Sequence, residues 1–391
     1  MLINEIPDDC LLAIFDHMSH LCDLINCYKV CVKWSYLITK RTKKVKYLIY
    51  QRVYSSDTVY YREMCKIDST CLSKLFTNLI IVELSFNLNP TYEDAIEFVK
   101  KQRFLKGLIN RIDLPVETYC VIFNILCNNI QLEMLSVQYF NPNNLRNGSS
   151  IKQLVVRNHS LAALKRHSHY LPNLERLKIT IYVPDNPYDG PVLKKLKILE
   201  LSFHAPWDSI IFYGLQFMDS CPNLQSAHIK MAANTYFFDE TLKHKCLQDL
   251  VLQSSDFYNG ISTSTRVGNE NDLKRLLMKY PNLKHLALRG AWKITEEHIE
   301  QLFHILPNLV VLDVRKCYEV TQEAADYVKD YCKRYGRSIK FYFDGNEHEI
   351  KSDWPQLSIK HEAISLGFDF MKNCFLRQHD FLPNFLIPID Y

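Results

Sequence analysis

Fourteen histidines and thirteen cysteines are ample material for metal ligation or nucleophilic chemistry, yet neither chemistry finds its spacing. No two cysteines stand as C-x-x-C and no H-E-x-x-H occurs, so the common zinc patterns are absent. Cys27 and Cys31 lie one helical turn apart among apolar residues and read as packing. G-x-x-x-x-G-K-[ST], G-x-G-x-x-G and G-x-S-x-G are also missing, and 10 glycines in the whole chain are too few for several phosphate cradles. No catalytic residue, metal or cofactor is expected, and the chemistry that remains is that of surfaces.

The 391 residues are 47% hydrophobic and 23% charged, an ordinary globular balance, and 47 basic against 43 acidic residues leave a net charge of only +4. A chain living on nucleic acid usually carries a larger basic excess. Asn4, Glu5, Asp8 and Asp9 interrupt the opening residues and no run reaches the length of a membrane span, so a soluble, unexported protein of the cytoplasm or nucleus is expected, with no membrane or nucleic-acid partner. The odd, irregularly spaced cysteines fit small buried hydrophobes in a reducing compartment. The sequons at Asn147 and Asn158 are then idle.

The elements that position any surface begin at "EIPDDCLLAIFDHM". Pro7, Asp8 and Asp9 suit the first turn of a helix, and Leu11, Leu12, Ile14, Phe15 and Met18 follow at helical spacing. Asp23 is placed to cap a second helix carrying Leu24 and Ile25, and Val30, Cys31, Trp34 and Leu37 begin a third stripe. A unit of some forty residues rarely holds a self-sufficient core, so part of its apolar surface should meet something else. The stretch "IPDDCLLAIFDHM…DLINCYKVCVKW" resembles an F-box: Pro7, Leu11, Ile14, Phe15, Leu24, Val30, Cys31 and Trp34 occupy its pattern positions, and Ile6 stands where leucine is commoner. The resemblance covers about a tenth of the chain and implies that these eight residues dock on the Skp-type adaptor of an SCF ubiquitin ligase.

The rest of the chain repeats. "LALRGAWKITEEHIEQL" aligns without a gap on "LDVRKCYEVTQEAADYV" at an offset of 26 residues, and each copy reads as strand, turn, Thr-capped helix and return. The L-x-x-L-x-L core recurs upstream, for example at Leu174, Leu177 and Ile179 and at Leu247, Leu250 and Leu252, with "PNL" before several strands. Each unit has an apolar edge on its strand and another on its helix that only a stacked neighbour covers. The predicted fold class is therefore α/β: a three-helix unit, then a curved solenoid with parallel strands concave and helices convex. "LxVxxCxxVTxxA" resembles the cysteine-containing class of leucine-rich repeat, which often follows F-boxes; alanine at 291 in the preceding copy marks Cys317 as a buried filler. Helices are expected over residues 91–102, with Thr91 and Asp94 in a capping box, and over 117–128, 161–170, 207–219, 272–280, 295–306 and 321–335. The repeat register is least regular between 234 and 271, and "QSSDFYNGISTSTRVGNEND" (253–272) is expected to project as a loop.

The expected division is residues 1–41 for the F-box, 42–76 for a linker and first repeat, 77–344 for the solenoid and 345–391 for a terminal cap. The cluster Lys40, Arg41, Lys43, Lys44 and Lys46 reads as a solvated helix end leading into a strand over 45–51, with a nuclear localisation signal as the alternative. Residues alternating with the buried leucines face outward, and among them Arg157, Lys178, His228, Lys230, Arg289 and Arg315 are the candidate substrate-binding residues, with Arg176 beside them. An acidic or phosphorylated partner would suit them; simple solvation is the alternative. The aromatic, proline-broken tail is expected to cap the last repeat, and a tail turned back across the strands is the other placement. The resemblance implies a non-catalytic substrate receptor that reaches cullin and RING subunits through the adaptor and holds an unknown target protein close to a charged enzyme. A repeat scaffold outside ubiquitination is the alternative, and a thiol ligase has no local signature.

Overall fold

In the computed structural model, residues 5–51, 55–62, 69–85, 88, 91–112, 132–141, 148–182, 186–204, 211–231, 235–254, 270–290, 294–358 and 362–391 are described. They form two compact units, Met1–Lys152 together with Tyr391, and Gln153–Asp390. The division falls inside the stretch read from sequence as one run of repeats.

The first unit opens with helices α1 (Asp8–Asp16), α2 (Leu21–Tyr28) and α3 (Val32–Thr42), and α3 packs against both others. Pro7 is the N-cap of α1, with Asp8 and Asp9 in the first turn against the positive end of the helix dipole. Asp23 does not cap α2. His20 holds that position, and Asp23 sits inside the first turn with its carboxylate 3.3 Å from the His20 ring. The strands β1 (Tyr47–Ile49), β2 (Thr58–Tyr60), β3 (Ile81–Leu84), β4 (Gly107–Asn110) and β5 (Met134–Val137) pair in parallel in the order β2-β1-β3-β4-β5. Helix α4 (Ser69–Leu75) precedes β3, and α5 (Tyr92–Lys100) follows it, the latter capped by Thr91, whose hydroxyl accepts from Asp94 N at 3.2 Å. The helix expected over 117–128 lies outside the described residues.

In the second unit eight parallel strands pair in chain order: β6 (Gln153–Val156), β7 (Arg176–Ile181), β8 (Ile198–Phe203), β10 (Ser226–Met231), β12 (Asp249–Ser254), β13 (His285–Arg289), β14 (Val311–Asp313) and β15 (Lys340–Tyr342). The short β9 (Ile211–Phe212) and β11 (Thr235–Tyr236) pair separately, as do β16 (Ile364–Leu366) and β17 (Phe385–Ile387). Sequential parallel pairing requires a crossover after every strand. The connections include α6 (Leu161–His167), α7 (Gly214–Met218), α8 (Glu270–Leu277), α9 (Glu296–Ile305) and α10 (Gln322–Tyr335). Of the projecting loop, residues 255–269 lie outside the described residues.

The register explains the leucine pattern. Ile179, Leu201, Ile229, Leu252 and Leu288 stand directly abreast on five strands, and Leu286 pairs with Leu312, the two positions that the repeat alignment superposes. Side chains alternate across a strand, so these ladders share one face and the intervening residues share the other. Cys317 is buried, its thiol donating to Leu288 O at 3.2 Å, as a filler beneath the turn. Gly290 closes β13 at φ +89°, and a Cβ there would stand 2.7 Å from Ser254 O. Replacing Gly290 with alanine forces a left-handed backbone against a neighbouring carbonyl, so urea denaturation should report a loss of about 1–3 kcal/mol. An unchanged midpoint would show that the turn relaxes freely.

Candidate protein-interaction surfaces

The first candidate surface lies on the three N-terminal helices. Leu11 and Phe15 are one turn apart on α1 and both are buried, as is Leu24 on α2, and the Phe15 ring meets Trp34 edge-on at 5.1 Å. These side chains build the core of the three helices, which takes Leu11, Phe15 and Leu24 out of the eight residues that the resemblance implies dock: a stripe at 3.6 residues per turn sends one edge inward and leaves the other outside. Trp34 and Cys31 are half-buried and Pro7 is exposed. The outer edge carries Ile14 at 50% exposure, Val30 at 57%, Val32 at 87% and Tyr36 at 58%. Sequence reasoning singled out Ile14 and Val30 and missed Val32 and Tyr36; their i, i+4 spacing on one helix was the available signal.

Polar contacts fix these helices. Lys33 Nζ bonds Ile6 O and the Asp8 carboxylate, each at 3.0 Å. Arg41, wholly buried, donates to Phe15 O at 3.2 Å and lies 3.7 Å from Asp16, which also pairs with Lys44 at 2.7 Å. Cys22 is disulfide-bonded, a departure from the reading of every cysteine as a packing residue.

The second candidate surface is the polar face of the second unit, where the predicted substrate-binding cations stand. That face is covered by the chain's own tail. Residues 362–390, here termed the strap, lie along it: β16 sits beside β17 at the β6–β7 end, the chain reaches β14 near Leu376, and residues 376–387 run back towards β6. Arg315 donates to Leu376 O at 2.9 Å, and Arg289 to Phe375 O at 2.7 Å and Arg377 O at 2.6 Å. His228 Nε2 meets Arg377 O at 3.2 Å and Lys178 donates to Leu382 O at 3.2 Å. Arg176 reaches Pro383 O at 2.7 Å and Asn384 O at 3.1 Å, and the Gln153 amide bonds Leu386 O and, at 3.0 Å, Leu386 N. Lys230 pairs with Asp380 at 2.8 Å.

The cations expected to hold a target thus bond the carbonyls of the strap residues Phe375, Leu376, Arg377, Leu382, Pro383 and Asn384, and buried carbonyls need such partners. Lys178, His228, Lys230, Arg289 and Arg315 are corrected in this sense; Arg157 stands exposed just beyond β6. The tail is accordingly more than a cap on the last repeat. Between these polar contacts Met371, Cys374, Phe375, Leu382 and Leu386 pack against Ile198, Val251, Ala287, Val311 and Tyr342 of the strands.

Charge on this face is neutralised locally. Arg176 pairs with Glu200 at 2.7 Å, and Asp313 lies between Arg289 at 2.7 Å and Arg315 at 2.9 Å. Burial works against the Asp313 carboxylate, but the two guanidinium groups hold it well below the ordinary carboxylate range. Arg289, itself buried, is pushed down by burial to about 10 despite that carboxylate. Burial also lowers Lys178 in spite of Glu200. It raises the thiols of Cys221 and Cys374, the latter to about 12, opposite to the shift an activated nucleophile needs. Among the described residues no group of three or more His, Cys, Asp or Glu is placed to hold a metal ion, and no helix is long and apolar enough to cross a membrane.

No family model and no curated protein sequence matches the chain. Among solved structures it is similar to a chain of the crystal structure of the Rad7 and Elc1 complex in yeast, at 16% identity over 81% of this chain and 90% of that one, with a TM-score of 0.41. It is also similar to a chain of the TLR13–ssRNA13 complex, at 15% identity over 70% of this chain and 38% of that one, with a TM-score of 0.40.

Proposed function

We propose that the chain is the non-catalytic substrate receptor of an SCF-type ubiquitin ligase, docking through its N-terminal helices on a Skp-type adaptor and holding a target protein on its repeat array. The observation that carries this reading is the outer edge of α1 to α3. Ile14, Val30, Val32 and Tyr36 stand exposed on a small unit that follows the F-box pattern and already has an inner core of Leu11, Phe15 and Leu24. Apolar side chains left exposed on the three packed helices gain when a partner covers them. The reading places no bond-making group in this chain, and the acceleration it assigns to the complex is proximity.

Titration calorimetry of the full chain with a purified Skp-type adaptor tests the docking. Wild type should bind, and Ile14→Asp combined with Val30→Asp should weaken binding about 30-fold or more, the scale of a lost central anchor. The melting temperature should stay within error, since neither side chain is in the core. Absence of wild-type binding at micromolar concentration, or full binding by the double variant, would remove the proposal's support. Recovery of cullin with the complex, and accumulation of a bound target on depletion of the chain, separate a ligase receptor from a scaffold acting outside ubiquitination.

A further inference from the structure

Two histidines face each other where the strap crosses the middle of the sheet. His228 on β10 and His379 on the strap have ring centroids 5.4 Å apart at an interplanar angle of 70°, and both side chains are buried. His228 uses Nε2 on Arg377 O, while His379 contributes its backbone N–H to the Gln253 side chain at 3.4 Å. His228 Nδ1 and His379 Nε2 are buried without a hydrogen-bond partner. As neutral rings they cost little there; as imidazolium ions each would carry an unpaired buried N–H and a buried charge.

The surroundings offer no compensation. Lys178 from β7, Lys230 from the same strand as His228, and Arg289 from β13 all bear on the pair, and His204 bears on His379 from just beyond β8. Gln253 on β12 is neutral. The acids nearby already face cations: Glu200, abreast of His228 on β8, bonds Arg176 through Oε1 and has its Oε2 3.9 Å from Lys178; Asp380 of the strap pairs with Lys230. Arg377 of the strap is held by Glu362 at 3.1 Å.

We propose that His228 and His379 form a proton-operated latch: charging the pair releases strap residues 377–382 from the sheet, while the apolar anchors on either side, Phe375 and Phe385–Ile387, stay seated. Those anchors are buried and contain no titrating group, so the opening is local. Burial first, and then the neighbouring cations, hold both rings well below the usual histidine value. For bases so lowered, the closed latch is fully stabilised above the released-state value near 6.5 and loses that stabilisation as pH falls below it. Each ring contributes up to tenfold per pH unit, so the pair together contributes up to about 100-fold per unit.

Hydrogen exchange on the full chain at pH 7.5 and 5.0, corrected for intrinsic rates, tests the latch. Amides of 377–382 should lose up to about 1,000-fold protection at the lower pH, which lies about 1.5 units below the released-state value, while those of β10 keep theirs, and the double variant His228→Gln, His379→Gln should abolish the difference. The same acid sensitivity in a folded double variant, or parallel loss in β10, overturns the proposal. Should that variant misfold, ring NMR of wild type decides. Both rings should stay neutral until the latch amides exchange, and a ring that charges near pH 6.5 behind a protected latch refutes it.

Discussion

Replacing Asp313 with alanine is expected to cost about 3–5 kcal/mol of stability, the typical effect of removing one partner from a buried ion pair. The carboxylate lies at zero exposure, and Arg289 and Arg315 both bond to it, at 2.8 Å and 3.0 Å through their Nε atoms. Without it two cations remain beneath the strap, held only by the carbonyls of Phe375, Leu376 and Arg377 and by the exposed Glu347 at 3.2 Å. Carbonyl dipoles do not offset the desolvation of two guanidinium ions. Urea denaturation should show the midpoint falling with an unchanged slope.

The pH dependence gives a second reading of the same pair. A carboxylate depressed in the folded state contributes stability that is complete above its unfolded value near 3.9 and disappears as pH falls towards the lower folded value. Wild type should therefore lose more stability than the alanine variant between about pH 5 and pH 2. A cost below about 1 kcal/mol would show that solvent reaches these arginines.

Legibility in the sequence followed range. The strands were readable because alternation of period 2 repeats at a nearly fixed offset: Leu286 and Leu312, superposed by the repeat, stand in register on adjacent strands of the sheet. Thr91, Thr295 and Thr321 were readable as helix starts because a cap acts within three residues. The strap was readable only as one of two placements of the tail, since its contacts span long separations, 207 residues between Arg176 and Pro383 and 149 between His228 and Arg377. Its own segments are short, aperiodic and broken by Pro383 and Pro388. A cation on the solvent side of a strand looks the same in sequence whether water or a carbonyl satisfies it. One signal was available: Lys178 pairs in register with Glu200, and Arg289 stands one strand from Asp313. Acids interleaved with bases across neighbouring strands are more economical as a neutralised, covered face than as a docking site for an acidic partner.

The same separation in sequence makes deletion of residues 362–391 the second large perturbation. Phe370, Met371, Phe375, Leu382 and Leu386 are all buried against the sheet, and at about 1.5–3 kcal/mol for each buried side chain their loss is of the order of 10 kcal/mol, comparable with the entire stability of an ordinary domain. Deletion also uncovers Ile198, Val251, Ala287 and Val311 and strips the carbonyls from Arg176, Arg289 and Arg315. The shortened chain should therefore elute as aggregate on size exclusion and lose its cooperative thermal transition, although the parallel ladder and its leucine face are untouched in sequence. If it instead remains monomeric and melts as the full chain does, the ladder is self-sufficient, and the carbonyl contacts of the strap are an addition to a stable fold rather than the completion of its core.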